Sequence, residues 1–292
     1  MKHKTQFAVW SAVSAVSLCA FTASVCADEN KTKDTSSAVS TATTTAQNAN
    51  TLGKVERSNK LIGKEVYSSD NQKIGKIDNL IVDLESGHVL YAVVNAKNKV
   101  AVAPGIFQEP SRDRITATVD KAKLEGAPEF TSDMDKRESM AKADFVSQVY
   151  QYFGQNAWWQ GATAANAGSF NNVHKASDLD GMKVFNTSNE TIGMVDNLAI
   201  DLPAGRVVYV IFSPASSLKL GNNLYALPPN AFTLSSDQKN LVTGIDQSKF
   251  ANAPHFAKNQ WPNLSSPTYA QQVYQYYGKD LWFHGGLQPT GR

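Results

Sequence analysis

The chain states one pattern twice, and that duplication limits its fold more than any other feature. Leu61-Ile-Gly-Lys-Glu-Val-Tyr67, Ile74-Gly-Lys-Ile-Asp-Asn-Leu-Ile-Val-Asp-Leu84, Gly87 and Tyr91 return as Leu179-Asp-Gly-Met-Lys-Val-Phe185, Ile192-Gly-Met-Val-Asp-Asn-Leu-Ala-Ile-Asp-Leu202, Gly205 and Tyr209. The offset is a constant 118 positions with no gap. A residue kept in both copies is needed by the fold of each unit, whereas a residue found in one copy marks where a specialised site belongs.

Within a copy the period is that of strands. Ile74–Leu84 and His88–Asn95 are β-branched and aromatic and flank the turn Glu85-Ser-Gly-His88. Val100–Ala103 and Arg114–Val119 come next, and the second copy repeats the plan at Val207–Phe212, Leu224–Leu227 and Asn240–Thr243. Five or six short strands joined by tight turns favour closure, since closure removes exposed edges. Val146, Val149, Tyr150 and Phe153 then lie at i, i+3, i+4, i+7, the stripe of a helix ending at Gly154, and Tyr269–Gly278 repeats it. The expected fold is mainly β with C-terminal helices per unit: two small antiparallel β-barrels in tandem, each closing independently.

The N-terminus reads as an export signal. Lys2 and Lys4 precede an apolar stretch from Phe7 to about Ala20, and Val25-Cys26-Ala27 forms a cleavage box. Loss of residues 1–27 would remove both cysteines, and with them disulfide and thiolate chemistry. It would also remove two lysines, so that the remaining basic residues equal the 26 acidic ones, and no net basic field points to nucleic acid. No later run is long and apolar enough to span a bilayer. Residues 28–57, rich in Ser, Thr, Ala and Asn, are expected to be a disordered linker. Repeat 1 with its aromatic tail is expected over 58–160, a linker over 161–175, repeat 2 over 176–286 and a tail over 287–292.

At Gly63, Ile74-Gly-x-Ile-Asp-Asn-Leu-Ile-Val-Asp83 and Gly87-x-Val-x-Tyr91, the chain resembles the PRC-barrel family, over roughly 58–125 and again over 176–250. This small barrel occurs in the H subunit of photosynthetic reaction centres and in ribosome maturation factors. The resemblance implies a binding or assembly module without shared catalytic residues. The helical and aromatic tails lie outside the family pattern.

Several residues invite a chemical reading. Asp78 with Asp83, and Asp196 with Asp201, could ligate a cation or act as an acid–base pair. An Asp-Asn step inside a strand more often marks a bulge, with the side chains bonding backbone N–H groups. Gly63, Gly75, Gly87, Gly181, Gly193 and Gly205 recur with these acids and are assigned to architecture. Asp178-Leu-Asp180-Gly181 lacks the glycine that a calcium loop needs at its sixth position. No two of His88, His174, His255 and His284 have metal-ligand spacing, and His88 is Arg206 in the other copy. No catalytic residue, cofactor or metal is expected. Trp158, Trp159, Trp282 and Phe283 are the candidate partner surface, Trp159 and Phe283 being expected to be the most exposed.

The function expected first is an exported, periplasmic or secreted, non-enzymatic protein that binds an envelope protein. The second is a polysaccharide- or peptidoglycan-binding module stacking sugars on Trp158, Trp159 and Trp282. An enzyme using Asp78 and Asp83, such as an unrecognised hydrolase, comes third. Pairing of the repeats within one chain and a homodimer both remain open.

Overall fold

Strands form where the two-residue period is clearest. The computed structural model describes residues 52–159 and 170–283. The first copy runs through β1 (Val55–Arg57), the single turn α1 (Ser58–Leu61), β2 (Glu65–Tyr67), β3 (Lys73–Asp83), β4 (His88–Asn95), β5 (Lys99–Val102) and β6 (Arg114–Thr116). It closes with helices α2 (Lys121–Glu125), α3 (Arg137–Met140) and α4 (Ala143–Tyr152). The second copy has β7 (Val173–Lys175), α5 (Ala176–Leu179), β8 (Lys183–Phe185), β9 (Thr191–Asp201), β10 (Arg206–Pro214) and β11 (Asn223–Leu227). It ends with β12 (Phe232–Leu234), β13 (Leu241–Thr243), β14 (His255–Ala257) and α6 (Pro267–Tyr276).

The protein is mainly β, with two domains in tandem, each a curled sheet. In the first, β2–β3–β4–β5 are antiparallel neighbours and β6 lies parallel to β2. In the second, β8–β9–β10–β11–β14 are antiparallel and β13 lies parallel to β8. Six consecutive residues of β4, Val89–Val94, are buried. Such a strand has both faces covered, one by the curl and one by its helix. Tyr91 meets Phe145 of α4 at 5.5 Å, and Tyr209 meets Tyr269 of α6 at 5.8 Å, so each helix packs on its own copy. At about 1.5–3 kcal/mol per buried large apolar side chain, this shared interior is the main stabilising term.

The two curls do not close separately. β1, at the start of the first copy, pairs with the end of β9 (Val55 with Asp201, Arg57 with Ala199). β7, at the start of the second, pairs with the end of β3 (Val173 with Asp83, Lys175 with Ile81). Each copy therefore completes the other's sheet. Between them Arg206 faces His88 across the joint, with Val89 N–H donating to Gly205 O (2.9 Å) and Val207 N–H to Gly87 O (2.8 Å). All fourteen strands of the described residues form one sheet, and one apolar core runs through it. This corrects the expectation of independent closure. The strands at 55–57 and 173–175 lie in stretches expected to be linkers. These three-residue strands are held by a partner far away in sequence, so local composition does not reveal them. The stretches 1–51, 160–169 and 284–292, which include the expected signal and the tail over 287–292, lie outside the described residues.

Candidate functional site

The joint collects most of the residues singled out in the sequence. Each long strand carries a register shift, between Ile77 and Asn79 in β3 and between Val195 and Asn197 in β9. Asp78 and Asp196 are the extra residues, and their carboxylates turn outward to Lys99 (2.9 Å) and Lys258 (3.8 Å). The neighbouring asparagines turn to the joint. Asn197 Oδ1 accepts from the Ser58 hydroxyl (2.9 Å) and from Leu198 N–H (3.1 Å), and Asn79 donates to the Ser177 hydroxyl (2.7 Å).

Asp83 and Asp201 are buried at the strand ends. Asp83 accepts Ser86 N–H (3.0 Å) from its own turn and Asn172 N–H (3.1 Å) from the opposite copy's incoming segment. Asp201 accepts Ala204 N–H (3.4 Å) and Gly53 N–H (2.9 Å) in the same way. Burial pushes the Asp201 carboxyl above the usual carboxylate range, while Gly53 N–H and Arg206 pull it back. Five residues of strand span about 16 Å. Asp78 and Asp83 therefore do not meet as an acid–base pair, and their oxygens are engaged by a lysine and by backbone.

The recurrent glycines serve close packing. A Cβ on Gly75 would strike the Asn95 carbonyl, and one on Gly193 the Ser213 carbonyl, where β3 and β9 cross the ends of their neighbours. Gly63, Gly87, Gly181 and Gly205 sit in turns at φ of 87°, 72°, 77° and 63°. Gly87 is doubly constrained, because a Cβ there would lie 3.0 Å from the Trp282 ring.

Both aromatic tails converge on His88. Trp158 stacks on the imidazole at 3.8 Å and 6°, and Trp282, from the other copy, tilts against it at 4.5 Å. His88 Nδ1 lies 2.9 Å from Ser86 O. Burial drives the His88 pKa down to about 3, opposed by that hydrogen bond and helped by the Arg206 charge. Trp159 is half-buried against Tyr150 and Phe170. Phe283 is buried on Tyr274, with the Arg206 guanidinium 5.6 Å from its ring. The exposed position expected for Phe283 is thus corrected: the chain turns inward after α6 and uses the ring as core. Trp158, 39% exposed, is the most exposed member of the set, Trp159 and Trp282 being half-buried.

His174 has no metal-ligand spacing in the sequence, and the structure gives it a different role. It is buried on β7, with Nε2 2.8 Å from Asn172 Oδ1 and Nδ1 3.4 Å from an Arg137 nitrogen. Desolvation first, and the Arg137 charge second, lower its pKa to about 3. Among the described residues no group of three or more His, Cys, Asp or Glu is placed to hold a metal, and no helix is long and apolar enough to cross a membrane. The joint itself had a sequence signal. The constant offset reaches back to Val55 and Val173, and to Arg57 and Lys175, ahead of the points where the repeats were expected to begin.

Comparison with protein families matches the PRC-barrel domain to residues 53–124 and again to residues 171–245, so both matches include the exchanged strands. Comparison with curated proteins finds no match.

Proposed function

Because the chain belongs to the PRC-barrel domain family, a non-enzymatic domain type, we propose that it is an exported binding and assembly protein that recognises a protein partner in the cell envelope. Asp83 and Asp201 are committed to the joint, Asp78 and Asp196 to outward lysines, and the two copies are locked into one body by exchange. Such a body offers a rigid surface, and a rigid surface loses little conformational freedom when a partner docks. Trp158 carries this reading. It is exposed, yet its ring is fixed flat against His88 and braced by Trp159 at 5.2 Å. A pre-ordered, exposed tryptophan is the type of residue that anchors protein interfaces.

The test is crosslinking in the periplasm from a photoreactive residue at position 158, with Trp158→Ala as competitor. The expected result is a discrete crosslinked partner whose capture the alanine variant competes away at least tenfold less effectively than the wild-type chain, about 1.4 kcal/mol or more. Failure to crosslink any protein, together with turnover of a small substrate by the purified chain, would sink the proposal. Glycan binding is the second reading, favoured by the exposure of Trp158. Quenching of tryptophan fluorescence by peptidoglycan fragments, lost in Trp158→Ala, would favour it over a protein partner.

A further inference from the structure

Near-symmetry makes departures from it informative. The segment after Phe130 and the segment after Phe256 both run back over the strand supplied by the other copy's start. Position 57 and its counterpart 175 face them. On one side Lys175 pairs with Asp135 at 2.9 Å. On the other, Arg57 lies over the Trp261 ring at 4.6 Å.

The two segments differ in length and charge. Between Phe130 and Phe145 the first copy has two more residues than the second has between Phe256 and Tyr269. The longer segment carries four acids, Asp133, Asp135, Glu138 and Asp144, against three bases, and one of these, Arg137, donates to Gln238 O (2.9 Å), tying the segment to the turn at Ser235–Asn240. The shorter one carries no acid over 257–268. Between it and the turn at Ser111–Arg114 lies an open groove of about 950 Å³, lined by Arg57, Lys60, Arg112 and Trp261 among others.

The groove's charge is unbalanced. Lys54 and Lys64 both pair with Glu56, at 2.7 and 2.6 Å. Arg57, Lys60 and Arg112 are left with Asp113 as the other acid lining the groove, and Arg57 is also attracted by the Asp196 carboxylate outside the lining. Lys60 and Arg112 are exposed. The cationic character belongs to one side, since Lys60 is Asp178 and Lys64 is Met182 in the other copy.

We propose that this groove docks an acidic polypeptide segment of a partner protein, its Asp and Glu side chains set against Arg57, Lys60 and Arg112. The chain supplies the template, because its own segment sets the Asp135 carboxylate against Lys175 on the pseudo-equivalent side. The inference rests on the reading of the chain as a protein-binding module, but uses a different surface from Trp158.

The full chain is titrated with a short fluorescent peptide of Asp, Glu and Gly, and binding is monitored by anisotropy. A peptide of the same length in Asn, Gln and Gly is the control. Saturable binding of the acidic peptide alone is expected, weakening as salt is raised. Lys60→Glu with Arg112→Glu should weaken it by about tenfold or more, since both contacts become repulsive. Both positions are exposed, so circular dichroism should show an unchanged fold. Equal affinity of the wild-type chain and the double variant would overturn the proposal. So would competition by an oligonucleotide or by anionic phospholipid vesicles as effective as the peptide, which would mark a general anion surface. If the double variant still crosslinks from position 158 to the same protein as the wild type, while neither binds the peptide, the groove assignment falls and the binding function stands. Loss of both peptide binding and crosslinking in the wild-type chain would remove the two together.

Discussion

Asp83 and Asp201 each join two parts of the chain, accepting one N–H from a local turn and one from residues 89 or 148 positions away. Removing either carboxylate leaves two donors without a partner, that of Asn172 buried and those of Ser86, Gly53 and Ala204 half-buried. Asp83→Ala and Asp201→Ala should each destabilise by about 1–3 kcal/mol per donor exposed, read as a lower urea midpoint with an unchanged slope. Gly87→Ala should also destabilise by about 1–2 kcal/mol, from positive φ alone, before its contact with Trp282 is counted. The buried histidines set a pH dependence. His88 and His174 have folded pKa values near 3, below the unfolded value of about 6.5, so the unfolded chain binds more protons between those limits. Stability is complete above about pH 6.5 and falls as pH drops towards 3, by about 1.4 kcal/mol per pH unit for each histidine well inside that window. The raised Asp201 carboxyl acts in the opposite sense just above the ordinary carboxylate pKa, because there the folded chain holds the extra proton. Urea midpoints at successive pH values, compared with those of His88→Gln, would separate these contributions. From sequence, duplication was enough to direct the paired acids towards architecture. Their partners were illegible, because a backbone N–H leaves no mark in composition.

At the scale of elements, the two helices differ in how their phenols are used. Tyr274 donates to Val208 O at 2.9 Å, whereas the buried hydroxyls of Tyr209, Tyr269 and Tyr277 have no hydrogen-bond partner among the described residues. The first copy places Phe145 and Phe153 where the second has Tyr269 and Tyr277. Tyr269→Phe and Tyr277→Phe should therefore be neutral or stabilising by up to about 1 kcal/mol, and Tyr274→Phe should cost about 1 kcal/mol. Thermal melts of the three variants test the contrast; a large loss in Tyr269→Phe would show that its hydroxyl is solvated by something the interior must keep. Long elements were the legible ones. β3, β4, β9 and β10 have enough residues to display a period, and α4 and α6 enough to display a stripe. β1 and β7 have three residues each, and no period can be read from three positions. The inward turn of Phe283 was hidden for a related reason, since the path of a chain beyond a helix cap is decided by the surface it meets.

The whole molecule is bound by reciprocity: each copy lends a strand and receives one. Two domains linked in this way should unfold in a single transition, with calorimetric and van't Hoff enthalpies in agreement. A chain of residues 52–159 alone lacks the strand that β7 supplies to β3, but retains β1 to give away. It should form a dimer in which two first copies exchange β1, visible by sedimentation as twice the chain mass. A stable folded monomer of that length would show that the exchange is dispensable. Family and tandem arrangement were open to reading because sequence repeats along the chain. The exchange was not, since an identical repeat is compatible with two separate barrels or with one shared sheet, and only pairing distinguishes them.

The mutual loan of strands also orders events in time. As the polypeptide is delivered from its N-terminus to the place where it folds, its leading half keeps one flank of β3 vacant until position 175 has arrived, and β1 waits for position 201. Neither half can mature ahead of the other, so the finished shape is reached late and all at once.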